Sequence, residues 1–252
     1  MRYTTHRTGG YLREYFPPGV KWLLIINVVI YVLGFLGALF FPQDLFEAFG
    51  LVPADVVFWG QVWQVVTYMF LHGSVLHLAL NMLGLWFFGP VLERDWGTRR
   101  FLQYYFLCGV GAALCVIGLA FLVDWYRGPS EALLRTIGAS GAIYGVLLAY
   151  GVLYPDAQVL YQFLFPIKAK YFVLIVGAVA FFSSFSPGRG ISHTAHLGGM
   201  IFGYFFLKAR YRRLSLFGPL RQQVQKWRTR RAQHRFQVHM RREKSDRDRW
   251  LQ

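Results

Sequence analysis

Long apolar runs separated by short polar segments organise this chain. They cover about 20–41, 76–92, 101–123, 138–153, 171–185 and 195–207. Each is apolar all round, as in helices immersed in lipid, and lacks the one-sided stripe of a helix on a water-soluble core. At about 1.5 Å per residue, the first run of roughly 20 residues crosses a hydrocarbon layer of about 30 Å. The fourth, about 16 residues or 24 Å, falls short of it. Six crossings put both termini on one side. The predicted fold class is therefore all-α: a polytopic membrane helix bundle of six transmembrane helices. It divides into an N-terminal segment 1–19, a membrane domain 20–209 and a basic C-terminal tail 210–252.

The intervening segments refine this picture. Residues 42–74 form a mixed loop with seven aromatics, Asp44, Glu47, Asp55 and no Lys or Arg, a composition suited to the outer interface. Pro17 and Pro18 precede a first run too long for a signal-peptide core and without a small-residue cleavage site, so it reads as a retained anchor. No repeat with a period of about 20–50 residues points to a solenoid.

Composition agrees with a membrane solvent. The 252 residues are 55% hydrophobic and 15% charged, against about 25% charged in soluble domains. The net charge of +15 raises nucleic acid as a partner, but 15 of the 27 Lys and Arg lie from Lys208 onward, facing only Glu243, Asp246 and Asp248. A basic cluster directly after an apolar run suits the anionic inner leaflet, so lipid and not nucleic acid is the expected partner. Trp227 and Phe236 within that tail fit a helix lying on the membrane surface. With the N-terminus inside, 24 of the 27 basic residues fall on the inner side, and only Arg127, Arg135 and Arg189 lie outside. The expectation is a multi-pass protein of a bacterial-type plasma membrane with both termini cytoplasmic. Cys108 and Cys115, seven apart in one apolar run, read as small buried hydrophobes and not as a disulfide framework.

Polar residues inside apolar runs are costly and hence functional candidates. His72, His77, Asn81, Ser140, His193 and His196 all fall toward the outer ends of their segments. The short fourth run places Ser140 below the outer surface, at a depth where irregular backbone survives only against protein or a hydrated recess. Gly141 and Gly145 beside Ser140, and Gly199 and Gly203 on the stripe of His196, have the small-residue spacing that lets helix backbones approach closely. A close crossing brings serine and imidazole within hydrogen-bond reach, where the imidazole can take the hydroxyl proton at neutral pH.

These motifs carry a specific resemblance. Gly138-Ala139-Ser140-Gly141 (GxSG), AHLGG from Ala195 to Gly199, and His72, His77 and Asn81 in the order HxxxxHxxxN together resemble the rhomboid protease family. The stretch TYMFLHG from Thr67 to Gly73, and Glu93 with Gly97, are also similar, and the likeness spans Val20 to Leu207. The resemblance implies an intramembrane serine endopeptidase that cuts membrane-spanning proteins near the outer face. It implies a Ser140–His196 dyad with no third acid, and an oxyanion site formed by His77, Asn81 and the backbone N–H of Ser140. Tyr144 matches the residue that packs on the catalytic imidazole. Gly138, His72, Gly199 and Gly203 are supporting positions. One departure stands out: many members carry Arg after the first-loop Trp, whereas Gln64 follows Trp63 here, which leaves the anchoring of that loop open.

Other readings compete. Serine at a helix start is commonly an N-cap, and His193 lies outside the motifs and reads as structural or loop-solvated. A rhomboid-like scaffold that binds membrane proteins without cutting them is the main alternative; such relatives lack the nucleophile or base, both present here. Histidines can also hold metal or haem in a transporter, yet there is no HExxH pair and no cysteine beside them, so neither metal nor cofactor is expected.

Overall fold

The computed structural model describes residues 16–40, 48–128, 130–161, 165–184 and 190–210. The tail beyond Arg210, the N-terminal residues before Phe16, Asp44 and Glu47 of the first loop, and Arg189 lie outside the described residues. In chain order the elements are α1 (Pro18–Phe40), α2 (Pro53–Phe58), α3 (Gln64–Thr67), a 3₁₀ turn (Tyr68–Phe70), α4 (Val75–Trp96), α5 (Thr98–Arg127), a second 3₁₀ turn (Glu131–Leu133) and α6 (Ser140–Leu153). A hairpin of β1 (Gln158–Tyr161) and β2 (Phe165–Lys168) follows, then α7 (Ala169–Ser183) and α8 (Gly190–Arg210). The molecule is thus a mostly helical bundle.

Among the described residues three helices, at Pro18–Gly37, Val75–Trp96 and Thr98–Arg127, are long and apolar enough to cross a membrane, and α6 and α7 are shorter apolar helices. The outward face of α1 carries Trp22, Leu33 and Phe35, each more than half exposed. Such a face is stable in hydrocarbon and not in water. Its N-terminus is tied to the far end of α4. Glu93, buried there, accepts from the N–H groups of Gly19 and Val20, both at 2.7 Å, and from the Thr98 hydroxyl at 2.7 Å. A carboxylate on free N–H groups satisfies donors that have no intrahelical partner and complements the helix dipole. A β-carbon at Gly19 would stand 2.9 Å from that carboxylate.

The centre of the bundle is α6, whose residues from Gly141 to Ile143 and from Gly145 to Ala149 are buried. It is surrounded by α4, α5, α7 and α8. Small residues permit this crowding: a β-carbon at Gly199 of α8 would lie 1.8 Å from the Gly141 carbonyl oxygen, and one at Gly145 would lie 2.4 Å from Cys108 Sγ on α5. Tyr104 donates its hydroxyl proton to the Gly145 carbonyl at 2.6 Å, and Tyr68 to the Gly109 carbonyl at 2.7 Å, so both buried phenols are satisfied. Cys108 and Cys115 are free thiols.

The elements differ from the sequence expectation in several places, among them the start of α8 at Gly190, which puts His193 inside that helix and not in a loop. The expected loop 42–74 contains α2, α3 and a 3₁₀ turn. Helix α5 extends beyond its apolar run to Arg127, where Gly128 at φ +88° follows. An antiparallel hairpin, with Gln158 opposite Lys168 and Tyr161 opposite Phe165, stands in an otherwise helical fold. Its base is closed by the Ala169 N–H on the Ala157 carbonyl at 2.8 Å.

Candidate active site

The loop before α6 is built to present Ser140. Gly138 has φ +118°, a conformation that L side chains rarely adopt, and a β-carbon there would stand 2.7 Å from His77 Nε2. Glycine therefore permits both the turn and the approach of the imidazole. The loop is tethered to the first-loop region at two points: Gly138 N–H donates to the Tyr68 carbonyl at 2.8 Å, and Leu51 and Thr136 exchange backbone bonds at 3.0 and 2.8 Å. Ser140 is the first residue of α6 and makes no capping bond; Ala139 occupies the cap position. Its hydroxyl instead meets His196 Nε2 at 2.8 Å.

The His196 ring is held from two sides. Tyr144, one turn after Ser140, stacks on it with centroids 4.0 Å apart and planes 10° apart, and His193 stands edge-on at 5.6 Å and 81°. With Nε2 turned to the hydroxyl, the other nitrogen, Nδ1, is buried and without a hydrogen-bond partner among the described residues. The 2.8 Å contact and the stacked ring fit the geometry that an activated serine requires.

His77 and Asn81 lie one turn apart on α4, which starts at Ser74; that side chain caps the helix by accepting from the His77 N–H at 3.1 Å. The Gly73 N–H points to His77 Nδ1 at 3.5 Å, and the other ring nitrogen, Nε2, faces Gly138. Asn81 is buried and spends one amide hydrogen on the His77 carbonyl at 3.0 Å; the amide carries a second. His77, Asn81, Ser140 and His196 line one groove, and His77 Nε2 and Asn81 Nδ2 both lie near the Gly138 turn that leads into Ser140.

His72 supports this cluster from behind. It is 1% exposed and meets the His77 ring edge-on at 5.0 Å. Burial, with a smaller push from His77, lowers its pKa to about 4, only partly opposed by the Phe70 backbone. Gly199 and Gly203 sit on the face of α8 that carries His196: Gly199 meets α6, and Gly203 meets Tyr104 and Cys108 of α5.

Sequence reasoning left the first-loop anchor open at Gln64 and missed several contributors. Gln64 is fully buried, accepts from the Val52 N–H at 2.9 Å and donates to Gln61 Oε1 at 2.8 Å, while Trp63 donates to the Ala48 carbonyl at 2.9 Å. The neutral amide thus anchors the loop. The Leu51–Thr136 pair, which sits in unremarkable apolar sequence, left no signal. A groove of about 660 Å³ leads away from Ser140 and His196 between α4, α6 and α7. Its aromatic wall, where Phe88 stacks on Phe172 at 5.8 Å and meets Tyr150 edge-on at 5.0 Å, reads in sequence only as ordinary apolar spacing.

Comparison with known proteins adds an independent observation. A family model described as the Rhomboid domain matches residues 59–213. The chain is 34% identical over 158 residues to the Rhomboid protease GluP of Bacillus subtilis, a match covering 63% of this chain and 28% of that protein. It is 31% identical over 169 residues to the mitochondrial Rhomboid protein 1 of Saccharomyces cerevisiae, covering 62% of this chain and 46% of that one. With the Rhomboid-like protease 3 of Toxoplasma gondii it shares 27% identity over 191 residues, covering 73% and 66%. The chain thus spans less than half the length of the first two relatives.

Proposed function

The chain belongs to the rhomboid family, and on that premise we propose that it is an intramembrane serine endopeptidase that cuts membrane-spanning proteins near the outer face. The observation that carries this reading is the 2.8 Å contact between Ser140 Oγ and His196 Nε2, next to donors able to stabilise an oxyanion. In the proposed reaction Ser140 attacks the scissile carbonyl while its proton passes to His196 Nε2. The tetrahedral oxygen is held by the Ser140 N–H, His77 Nε2–H and Asn81 Nδ2–H. His196 then returns the proton to the departing amine, and water, activated by the same imidazole, releases the acyl group.

The proposal extends to topology. All six helices α1 and α4 to α8 span the bilayer within a membrane domain 20–209, between cytoplasmic segments 1–19 and 210–252, in a bacterial-type plasma membrane. The distribution of 24 of the 27 Lys and Arg to one side favours this orientation. The 14 residues of α6 make about 21 Å, short of the roughly 30 Å layer, which favours a Ser140 lying beneath the outer surface in a wet recess. A substrate helix unwinds its outer end into that recess. Labelling by a serine-directed fluorophosphonate tests the nucleophile. Wild type is expected to label and Ser140→Ala not to; a wild type that resists labelling in detergent and in vesicles would support the non-cutting scaffold instead.

A further inference from the structure

The groove that begins at Ser140 runs on past the catalytic residues. Its wall follows α6 through Leu147 to Tyr150, includes Phe88 and Phe172, and ends at Gln158 and Val159 of β1. The groove has a volume of about 660 Å³ and follows α6 from Ser140 to Tyr150, about 15 Å. The groove is open sideways, since Leu80 and Phe87 in its wall are both more than half exposed. In a bilayer the apolar stretch of the groove beyond the polar Ser140 end is occupied by hydrocarbon, because an empty one forfeits contact on every side and water finds few partners there.

Charge distinguishes the end remote from Ser140. Gln158, in the groove wall, is paired across the hairpin with Lys168, and directly opposed residues project to the same face of a ladder. Lys168 and Lys170 both bond one oxygen of Asp156, at 3.1 and 3.0 Å. The shared carboxylate holds two ammonium groups side by side, neutralises one charge of the two, and leaves donors unused on each. Both side chains remain partly exposed, at 52% and 36%.

We propose that this groove binds an anionic phospholipid, with its head-group phosphate on Lys168 and Lys170 and one acyl chain lying past Tyr150, Phe88 and Phe172 toward Ser140. The proposal rests on the topology above, which puts the hairpin at the cytoplasmic leaflet where anionic lipid concentrates. Substrate entering the groove displaces that chain, so the site couples the lipid of one leaflet to the chemistry near the other.

Photolabelling tests it directly. The full chain is placed in phosphatidylcholine vesicles with a trace of either phosphatidylglycerol or phosphatidylcholine bearing an acyl-chain diazirine, and labelled peptides are quantified by mass spectrometry. The phosphatidylglycerol probe is expected to label the segments around Phe88 and Phe172 several-fold more than its phosphatidylcholine counterpart. Lys168→Gln with Lys170→Gln is expected to remove that preference while leaving the labelling of α1 unchanged. Equal labelling by the two probes, or a preference that survives the double replacement, overturns the proposal. Labelling needs no proteolysis, so a protein that labels as expected but cuts nothing sinks the protease reading and not this one.

Discussion

At the scale of single residues, the geometry divides positions that tolerate change from positions that do not. A β-carbon at Gly199 meets the Gly141 backbone at 1.8 Å, whereas one at Gly118 meets nothing within 4 Å. Gly199→Ala therefore has to push α8 away from α6 and is expected to cut the proposed proteolysis at least 10-fold by lengthening the Ser–His contact; Gly118→Ala, inside α5 with open space around it, is expected to leave activity unchanged and not to lower the unfolding temperature. Asn81→Ala is expected to lower kcat about 10-fold or more with KM little changed, since the lost donor acts on the transition state; an unaltered kcat removes Asn81 from the oxyanion site. His72 makes a pH prediction. Held neutral by burial with a pKa of about 4, against 6.5 ordinarily, it binds its proton later in the folded than in the unfolded chain. Its contribution is thus intact above pH 6.5 and lost as pH falls toward 4. Thermal unfolding in detergent is expected to show the advantage of wild type over His72→Gln shrinking across that window, and parallel curves contradict the assignment.

At the scale of elements, legibility in the sequence tracked how local the determining interaction is. The spacing of His77 and Asn81, one turn apart, is a local property of a helix, and so is the glycine stripe beside His196; both could be read from the chain. The positive φ of Gly138 and the Leu51–Thr136 pairing depend on partners far away in sequence, and neither was visible. The hairpin at 158–168 was missed because each strand has only four residues, and periodicity does not separate strands that short from helix ends. At Gln64 the departure from the family pattern was legible, but the amide pair that answers it was not. The tie between α1 and α4 depends on Glu93, whose carboxylate serves three donors. Glu93→Gln trades one acceptor oxygen for an amide donor and is expected to cost about 1.5–3 kcal/mol, measurable as a lower unfolding temperature; an unchanged temperature would mean that α1 is held by its apolar contacts alone.

At the scale of the whole molecule, one arrangement would reconcile the proposed hydrolysis with lipid. A central helix shorter than its neighbours carries Ser140, the proposed nucleophile, at its N-terminus, and α8 and α4 bring His196 and the proposed oxyanion donors His77 and Asn81 to the groove that it lines. The apolar exterior of α1 and the buried small-residue core of α5, α6 and α8 are two parts of one solution: hydrocarbon contact outside, backbone-to-backbone packing within. The most direct test is cleavage of a single-span reporter by the purified chain in lipid vesicles, with wild type, Ser140→Ala and His196→Ala compared at equal folded amounts. Wild type is predicted to cut the reporter near its outer membrane boundary, and each replacement to abolish the cut while the protein remains folded. Cleavage that persists in either variant would contradict the dyad.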